Sequence, residues 1–172
     1  MKRPLPDFEF VALTEEHLPQ ILDLQERVIA SMENPELLRK NTAEMFLECV
    51  QAPNLTIGVF VDDLLVAVGV LYVPDREEED LAHLLVGVDV QGKRTANNKL
   101  CMVDAPYRGN GLQVRLGQLV ERRAKEIGVD LLCATVSPLN PYSENNVLKL
   151  GFTKNRTLEK YGSPRNLFYK FI

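Results

Sequence analysis

The hydrophobic pattern divides the chain into short β-like runs and a few helical stretches. Phe8–Leu13 predicts a short strand. Thr14, followed by Glu15 and Glu16, predicts a helix start, with Thr14 as N-cap and the acids near the positive end of the helix. Leu18, Ile21, Leu22, Leu24 and Val28 form its apolar face. Pro35 opens a second helix reaching about Val50, with Leu37, Leu38, Met45, Phe46 and Leu47 as its apolar positions. Leu55–Val61 and Leu64–Val73 are β-rich runs separated by Asp62–Asp63, the pattern of an antiparallel hairpin. Pro74 and the charged run Asp75–Asp80 predict an exposed connection. Leu81–Val90 fits either a strand with a short lead-in or a small helix followed by a strand, and Gln91–Asn98 reads as a polar loop.

Lys99–Val103 predicts a central strand. Between Gly111 and Ile127, the residues Leu112, Leu116, Leu119, Val120, Ala124 and Ile127 recur at helical spacing, and Gly128 stops the helix as a left-handed cap. Asp130–Val136 is the next strand. Strand, helix, strand in this order predicts a right-handed crossover and parallel pairing. Ser143–Leu150 predicts a short helix ended by Gly151, and Phe152–Leu158 and Leu167–Phe171 are the last strands. There are no internal repeats and no low-complexity segment.

Composition narrows the class. The chain has 172 residues, 45% hydrophobic and 26% charged, the balance of a single globular domain spanning 1–172. No apolar run approaches the roughly 18 residues of a membrane span, and no leader is expected from its start. Cys49, Cys101 and Cys133 are widely spaced in apolar contexts and read as buried free thiols in a reducing, cytoplasmic setting. With only His17 and His83 besides, no metal site is expected. Asn54–Leu55–Thr56 matches a glycosylation acceptor by chance alone. The net charge is −4, and the basic residues Lys2–Arg3 and those along 115–125 form no long stripe, which argues against a nucleic-acid partner.

The candidate chemistry begins at Val103–Asp104–Ala105–Pro106–Tyr107–Arg108–Gly109–Asn110–Gly111–Leu112–Gln113. A strand, a glycine loop and a helix start in succession make an anion site. The first N–H groups of the helix lack internal partners and carry the positive end of its dipole. A dinucleotide site would need a third glycine where Val114 stands, early in the chain, and a phosphate-binding P-loop would need Gly-Lys-Ser/Thr. Neither pattern is present.

The segment resembles instead the GCN5-related N-acetyltransferase (GNAT) superfamily, whose acyl-CoA signature is Arg/Gln-x-x-Gly-x-Gly/Ala. Here it reads Arg108–Gly109–Asn110–Gly111–Leu112–Gln113, with Gln113 in place of a small residue. A second motif supports the resemblance. Ser137–Pro138–Leu139–Asn140–Pro141–Tyr142–Ser143 leads to Lys149–Leu150–Gly151–Phe152 at the family's spacing, with Ser137 replacing a histidine. The likeness covers the order of elements from about Phe8 to Ile172 and is strongest over 100–152.

The resemblance implies an α/β (α+β) acyl-CoA N-acyltransferase fold. Its central sheet is mixed and mostly antiparallel, with splayed parallel central strands and flanking helices. It implies acetyl-CoA as co-substrate and no metal. Residues Arg108, Gly109, Asn110, Gly111, Leu112 and Gln113 would wrap the pyrophosphate. The backbone of Met102 and Val103 would pair with pantetheine, Asn140 would reach the pantetheine arm, and Ser143 would lie near the cofactor. Asn140 also fits a helix N-cap, Arg108 a structural donor, and Arg115 either a phosphate contact or a solvated side chain.

Many members of the family carry a tyrosine general acid four residues before the Gly-Phe pair. That position is Val147 here, which has no proton to donate. Tyr142 is the nearest tyrosine on the segment and is open to an acid role or to packing, while Tyr107 suits an anchor. Candidate bases are Asp89, an isolated carboxylate in an apolar run, His83, whose intrinsic pKa suits proton transfer, and Asp104, which is equally suited to ordering the loop. A water chain is a further route, and Cys101 and Cys133 read as inert. The acceptor pocket is expected between the first helices and the hairpin near Val61–Val73, with the Lys160–Arg165 turn closing the other side. The Asp75–Asp80 loop reads as solvated surface or as an attractor of a cationic amine.

The leading expectation is an N-acetyltransferase acting on a primary amine of a small molecule or protein, as monomer or homodimer, without membrane or nucleic-acid partners. Its competitors are a non-catalytic acyl-CoA-binding regulatory module and transfer of a longer acyl group.

Overall fold

The computed structural model describes residues 7–172, so Lys2 and Arg3 lie outside the described residues. Its centre is a seven-stranded sheet in the order β1-β2-β3-β4-β5-β7-β6. The strands are β1 (Glu9–Ala12), β2 (Leu55–Val61), β3 (Leu64–Tyr72), β4 (Thr95–Val103), β5 (Leu131–Val136), β6 (Thr153–Lys160) and β7 (Ser163–Phe171). The helices are α1 (Leu18–Ala30), α2 (Ala43–Cys49), α3 (Leu112–Glu126) and α4 (Pro141–Lys149). Every neighbouring pair of strands is antiparallel except β4–β5.

Two cores sandwich the sheet. Leu112, Leu116, Val120 and Ala124 of α3 and Val147 of α4 pack on one face with Ala67, Ala96 and Phe168. Ile21, Leu24 and Val28 of α1 and Phe46 of α2 pack on the other with Val68, Val70 and Met102. β3 lies between them and is buried on both faces after its first residue, which explains its unbroken apolar run. β6 forms an outer edge and carries Lys154, Arg156, Glu159 and Lys160, charges that discourage pairing with another chain.

Both helix-stopping glycines are left-handed, Gly128 at φ 82° and Gly151 at φ 92°. The expected second helix divides into a 3-10 turn at Pro35–Leu37 and α2, which starts only at Ala43 behind the N-cap Thr42, whose hydroxyl accepts from Met45 N at 3.2 Å. Leu81–Val90 contains no strand: a 3-10 turn at Leu81–Leu84 seats Leu81 and Ala82 against Leu131, Cys133 and Leu167, and the chain then turns at Gly87 with φ 70°. The central strand starts four residues earlier than its apolar pattern indicates, at Thr95. Asn54 and Thr56 are structural: Asn54 Nδ2 donates to Glu48 O at 3.1 Å, and Thr56 Oγ1 donates to Cys49 O at 2.9 Å.

Candidate active site

β4 and β5 pair only at Thr95↔Leu131, Ala96↔Leu132 and Asn97↔Cys133. Beyond Asn97 they part, and Asn98–Cys101 and Ala134–Ser137 line a cavity of about 110 Å³ between them. Its wall includes Leu116, Val147 and Leu150 from one face of the sheet and Arg39, Tyr161 and Arg165 from the other, so the cavity passes through the sheet. A wider groove of about 640 Å³ shares Cys101, Gln113, Asn140 and Ser143 with it and runs past Arg108 to the end of α1.

The loop that precedes α3 borders this groove. Gly109 (φ 83°) and Gly111 (φ 72°) hold left-handed backbone, and a Cβ on either would meet nothing within 4 Å. The glycines are therefore required by the chain path, and the space beside them is open. The first helical bond runs from Arg115 N to Gly111 O at 3.1 Å, which leaves the N–H groups of Leu112, Gln113 and Val114 outside the helical ladder. The polar side chains of the loop turn back into it. Arg108 Nε donates to Val103 O at 3.2 Å and Nη2 to Ser31 Oγ at 3.1 Å, while Asn110 Nδ2 donates to Tyr107 O at 2.8 Å. What the loop presents is backbone. Arg115 stacks over the Phe10 ring at 4.1 Å.

Gln113 spans the mouth of the cleft. Its Nε2 donates to Ser143 Oγ at 2.9 Å, and its Oε1 accepts from the buried Asn146 at 2.9 Å. Asn140 caps α4, its Oδ1 accepting from Ser143 N at 3.1 Å. Asp104 N donates to Val66 O at 2.8 Å, so by strand alternation the backbone of Met102 also faces β3. The backbone groups of β4 that face the cleft are those of Cys101 and Val103; Met102 reaches the groove by its side chain.

The candidate acids and bases fall in different places. Asp89 sits on an exposed turn with Oδ1 accepting from Gln91 N at 3.0 Å. His83 is exposed with its Nδ1 against the Asp80 carbonyl. Neither lines the cavity or the groove. Asp104 is buried and accepts from Arg27 Nε at 3.0 Å; Arg27 also donates to Leu65 O at 2.7 Å and pairs with Asp23. Its carboxylate joins α1 to the end of β4. Tyr142 is half exposed on the groove, and Val147 is packed in the core. Burial pushes the thiols of Cys49, Cys101 and Cys133 up to about 12, which keeps them protonated and unreactive.

The structure brings to the other end of the cavity Arg39 and Lys99, which the sequence pattern does not single out, together with Glu79, Tyr161 and Arg165 from two segments that it does. The β3–β4 register slips between Val70 and Leu71, leaving Lys99 as the bulged residue. The Lys99 side chain is 7% exposed, with Nζ 3.3 Å from Glu79 Oε2 and 4.6 Å from the centre of the Tyr72 ring. Burial holds its pKa below the ordinary lysine value, against the pull of Glu79. Tyr72 donates to Glu48 Oε1 at 2.7 Å, and burial followed by that contact raises its pKa. Arg39 lies 3.8 Å over the Tyr161 ring, with Nη2 3.8 Å from Glu79 Oε1. Tyr161 holds φ 58° in the β6–β7 turn beside Gly162, a conformation uncommon for a bulky residue. Arg165, in β7, is 6% exposed and donates to Glu36 O at 3.2 Å. Of the side chains lining the through-sheet cavity, none is a carboxylate or an imidazole, and Arg39, Lys99, Tyr161 and Arg165 are its charged or phenolic members.

No family model matches the sequence, and no curated protein matches it by sequence. Solved structures do match its fold. An acetyltransferase of the GNAT family from Streptococcus pneumoniae superposes with a TM-score of 0.70 at 15% identity, over 96% of this chain and 99% of the other. An N-acetyltransferase from Staphylococcus aureus gives 0.71 at 16%, over 96% and 98%. Salmonella typhimurium yncA, solved with its cofactor acetyl-CoA, gives 0.68 at 13%, over 95% and 93%. At these identities the likeness is one of fold, and the chain has the GNAT fold: a mixed sheet with parallel central strands and flanking helices. Among the described residues, no group of three or more His, Cys, Asp or Glu is placed to hold a metal ion, and no helix is long and apolar enough to cross a membrane.

Proposed function

We propose that this domain is an acetyl-CoA-dependent N-acetyltransferase acting on a primary amine by direct attack. The observation that carries the reading is the cavity through the sheet. Through the shared Cys101, Gln113, Asn140 and Ser143 it connects the groove beside the glycine loop to its own polar far end, the chamber lined by Arg39, Lys99, Tyr161 and Arg165, so two substrates can approach one point from opposite faces.

The donor side fits acyl-CoA. The open space beside Gly109 and Gly111 and the unpartnered N–H groups of Leu112, Gln113 and Val114 suit a pyrophosphate. Cys101 and Val103 offer the strand edge to the amide groups of pantetheine, with Asn140 and Ser143 at the opposite wall. Val103 O already accepts from Arg108, so binding there uses Val103 N–H or displaces that contact. Bound acetyl-CoA supplies the acetyl group as an activated thioester. The chain contributes placement of the two reactants and exclusion of water by Leu116, Val147 and Leu150. The small cavity beside Val147 suits an acetyl group rather than a long acyl chain.

Proton removal from the acceptor falls to the chamber. Lys99 is the cavity's titratable amine; burial favours its neutral form, which can take the acceptor's proton and pass it toward Glu79, 3.3 Å away, and solvent. This replaces Asp89, His83 and Asp104 as the proposed proton acceptor, because those groups stand on exposed turns or are held by Arg27.

The deciding experiment supplies acetyl-CoA and a broad amine panel and records free CoA and product mass. Amine-dependent release of CoA supports the reading. Tight binding without turnover on any amine favours the regulatory acyl-CoA module, a reading that the buried Val147 in place of a proton donor keeps in view. Failure to bind acetyl-CoA overturns both.

A further inference from the structure

The chamber on the acceptor side is positively charged in a chain whose net charge is −4. Arg39, Lys99 and Arg165 line it, and among the described residues Glu79 is the one carboxylate paired with any of them, so the local balance is +1 with Lys99 neutral and +2 with it protonated. Glu79 pairs with Lys99 at 3.3 Å and with Arg39 at 3.8 Å; among the described residues, no carboxylate pairs with Arg165. Arg165 is 94% buried by its 6% exposure, and its Nε has no hydrogen-bond partner. Its other nitrogens meet only carbonyl oxygens, Glu36 O at 3.2 Å and Leu37 O at 3.5 Å. Burial lowers its pKa, and Arg39, a like charge nearby, lowers it further.

A buried guanidinium with an orphan N–H, lining the same cavity as a second arginine, is costly unless an anion completes it. Tyr161 adds to the case, since a left-handed backbone places its ring under Arg39 and fixes that guanidinium in place. Two fixed guanidinium groups are the usual means of gripping a carboxylate or phosphoryl group, which take paired N–H donors. The phosphates of CoA belong to the loop before α3, at the other end of the cavity.

We infer that the acceptor is a small amine carrying its own carboxylate or phosphoryl group, held by Arg165 and Arg39 so that its amine enters the cavity from the Lys99 side. This rests on the proposed transferase reading and deepens it. It also sets aside the alternative in which the Asp75–Asp80 loop draws in a cationic acceptor: of that loop, Glu79 is engaged with Lys99 and Arg39, and Asp80 caps the following 3-10 turn through Ala82 N at 3.1 Å.

The test is calorimetric titration of CoA-saturated protein, where no acetyl group is present to be consumed. The probes are the free L-α-amino acids, aminomethylphosphonate and O-phosphoethanolamine, against amino-acid amides and ethanolamine as neutral-group counterparts, in which an amide or hydroxyl replaces the anion. At least one anion-bearing amine should bind about tenfold or more tightly than its counterpart without the anion. The acid and phosphoryl arms separate the two anion classes. Arg165→Met and Arg39→Met should each abolish that preference while leaving CoA affinity unchanged, and Arg165→Lys should restore it in part. If Arg165→Met fails to fold, Arg39→Met carries the test. Equal affinity for neutral counterparts, or no binding of any anionic amine, overturns the inference. Failure to bind CoA overturns the transferase reading instead, and the same titrations on the free protein then decide the anion site.

Discussion

Gln113 donates its side-chain amide to the Ser143 hydroxyl at 2.9 Å and thereby fastens the first turn of α3 to the first turn of α4 across the mouth of the cleft. Asn146 completes the strut by donating to the other end of the same amide. Where the related motif carries a small residue, this chain has built a brace. Gln113→Ala and Ser143→Ala should each cost about 1 kcal/mol, and the double variant should cost less than their sum, because both remove one contact. Urea unfolding of the two singles and the double measures this; strictly additive losses would show that the contact contributes nothing.

Gly111 is left-handed at the head of α3, with open space beside it. Gly111→Val should cost about 1–2 kcal/mol of stability through backbone strain and should weaken CoA binding by projecting into the space of the anion. Gly111→Asn tolerates the same backbone and should lose less stability. Thermal unfolding with CoA calorimetry separates the two effects, and unchanged CoA affinity in the valine variant would exclude this loop as the phosphate site.

Asp104 is an anchor for Arg27. Asp104→Asn should therefore destabilise the fold by about 2 kcal/mol, the scale of a hydrogen bond to a charged group, without moving the pH dependence of turnover. A displaced pH–rate profile with unchanged stability would return the base to Asp104.

Acid sensitivity should originate partly at Glu121. Burial pushes its carboxyl up, but Lys170 and Lys125 outweigh burial and hold it below the ordinary 4.5. Lys170 Nζ lies 2.8 Å from Glu121 Oε2 and also donates to Leu150 O at 2.8 Å. A carboxyl with a lower pKa folded than unfolded contributes stability that is complete above the unfolded value and is lost as pH falls through the folded one. Stability should decline as pH drops below about 4.5 on this account, and Glu121→Gln should flatten that part of the curve. Denaturant titrations across pH 3–6 check the slope; an unchanged slope in the variant would remove Glu121 from the account.

Cys101 lines both the cavity and the groove, yet burial keeps its thiol protonated. Cys101→Ala should retain turnover, and rapid-quench measurements should show no burst of acyl-enzyme. Loss of a burst together with turnover in that variant would establish covalent catalysis instead.

The glycine loop and the helix boundaries were legible in the sequence because their constraints are local. Gly109, Gly111, Gly128 and Gly151 all adopt positive φ, and each marks a boundary to within a residue or two. The far end of the cavity was hidden for the opposite reason. Arg39, Glu79, Lys99 and Arg165 come from separate segments that meet only through the sheet. Lys99 looked like a strand end because Asn97 and Asn98 read as loop; Asn97 is 3% exposed in the strand, its amide spent on Glu79 O at 2.6 Å. Asp89 attracted attention as a lone carboxylate in an apolar run, but Gly87 and the cap at Asp80 keep that run out of the sheet. Tyr161 and Arg165 of the Lys160–Arg165 turn line the cavity, while Arg39 and Lys99 beside them carry no signal in the sequence.

The short seam between β4 and β5 has a consequence for how such a domain can diversify. Its strand register is fixed by three residue pairs and by α3, and the glycine loop follows directly from β4. The residues surrounding the far chamber come mostly from connectors: the stretch before α2, the turn after β3 and the hairpin between β6 and β7. Those connectors can be rewritten, one at a time, without disturbing the strand that leads into the glycine loop. One scaffold can in this way keep one wall of its cavity constant while exchanging the other.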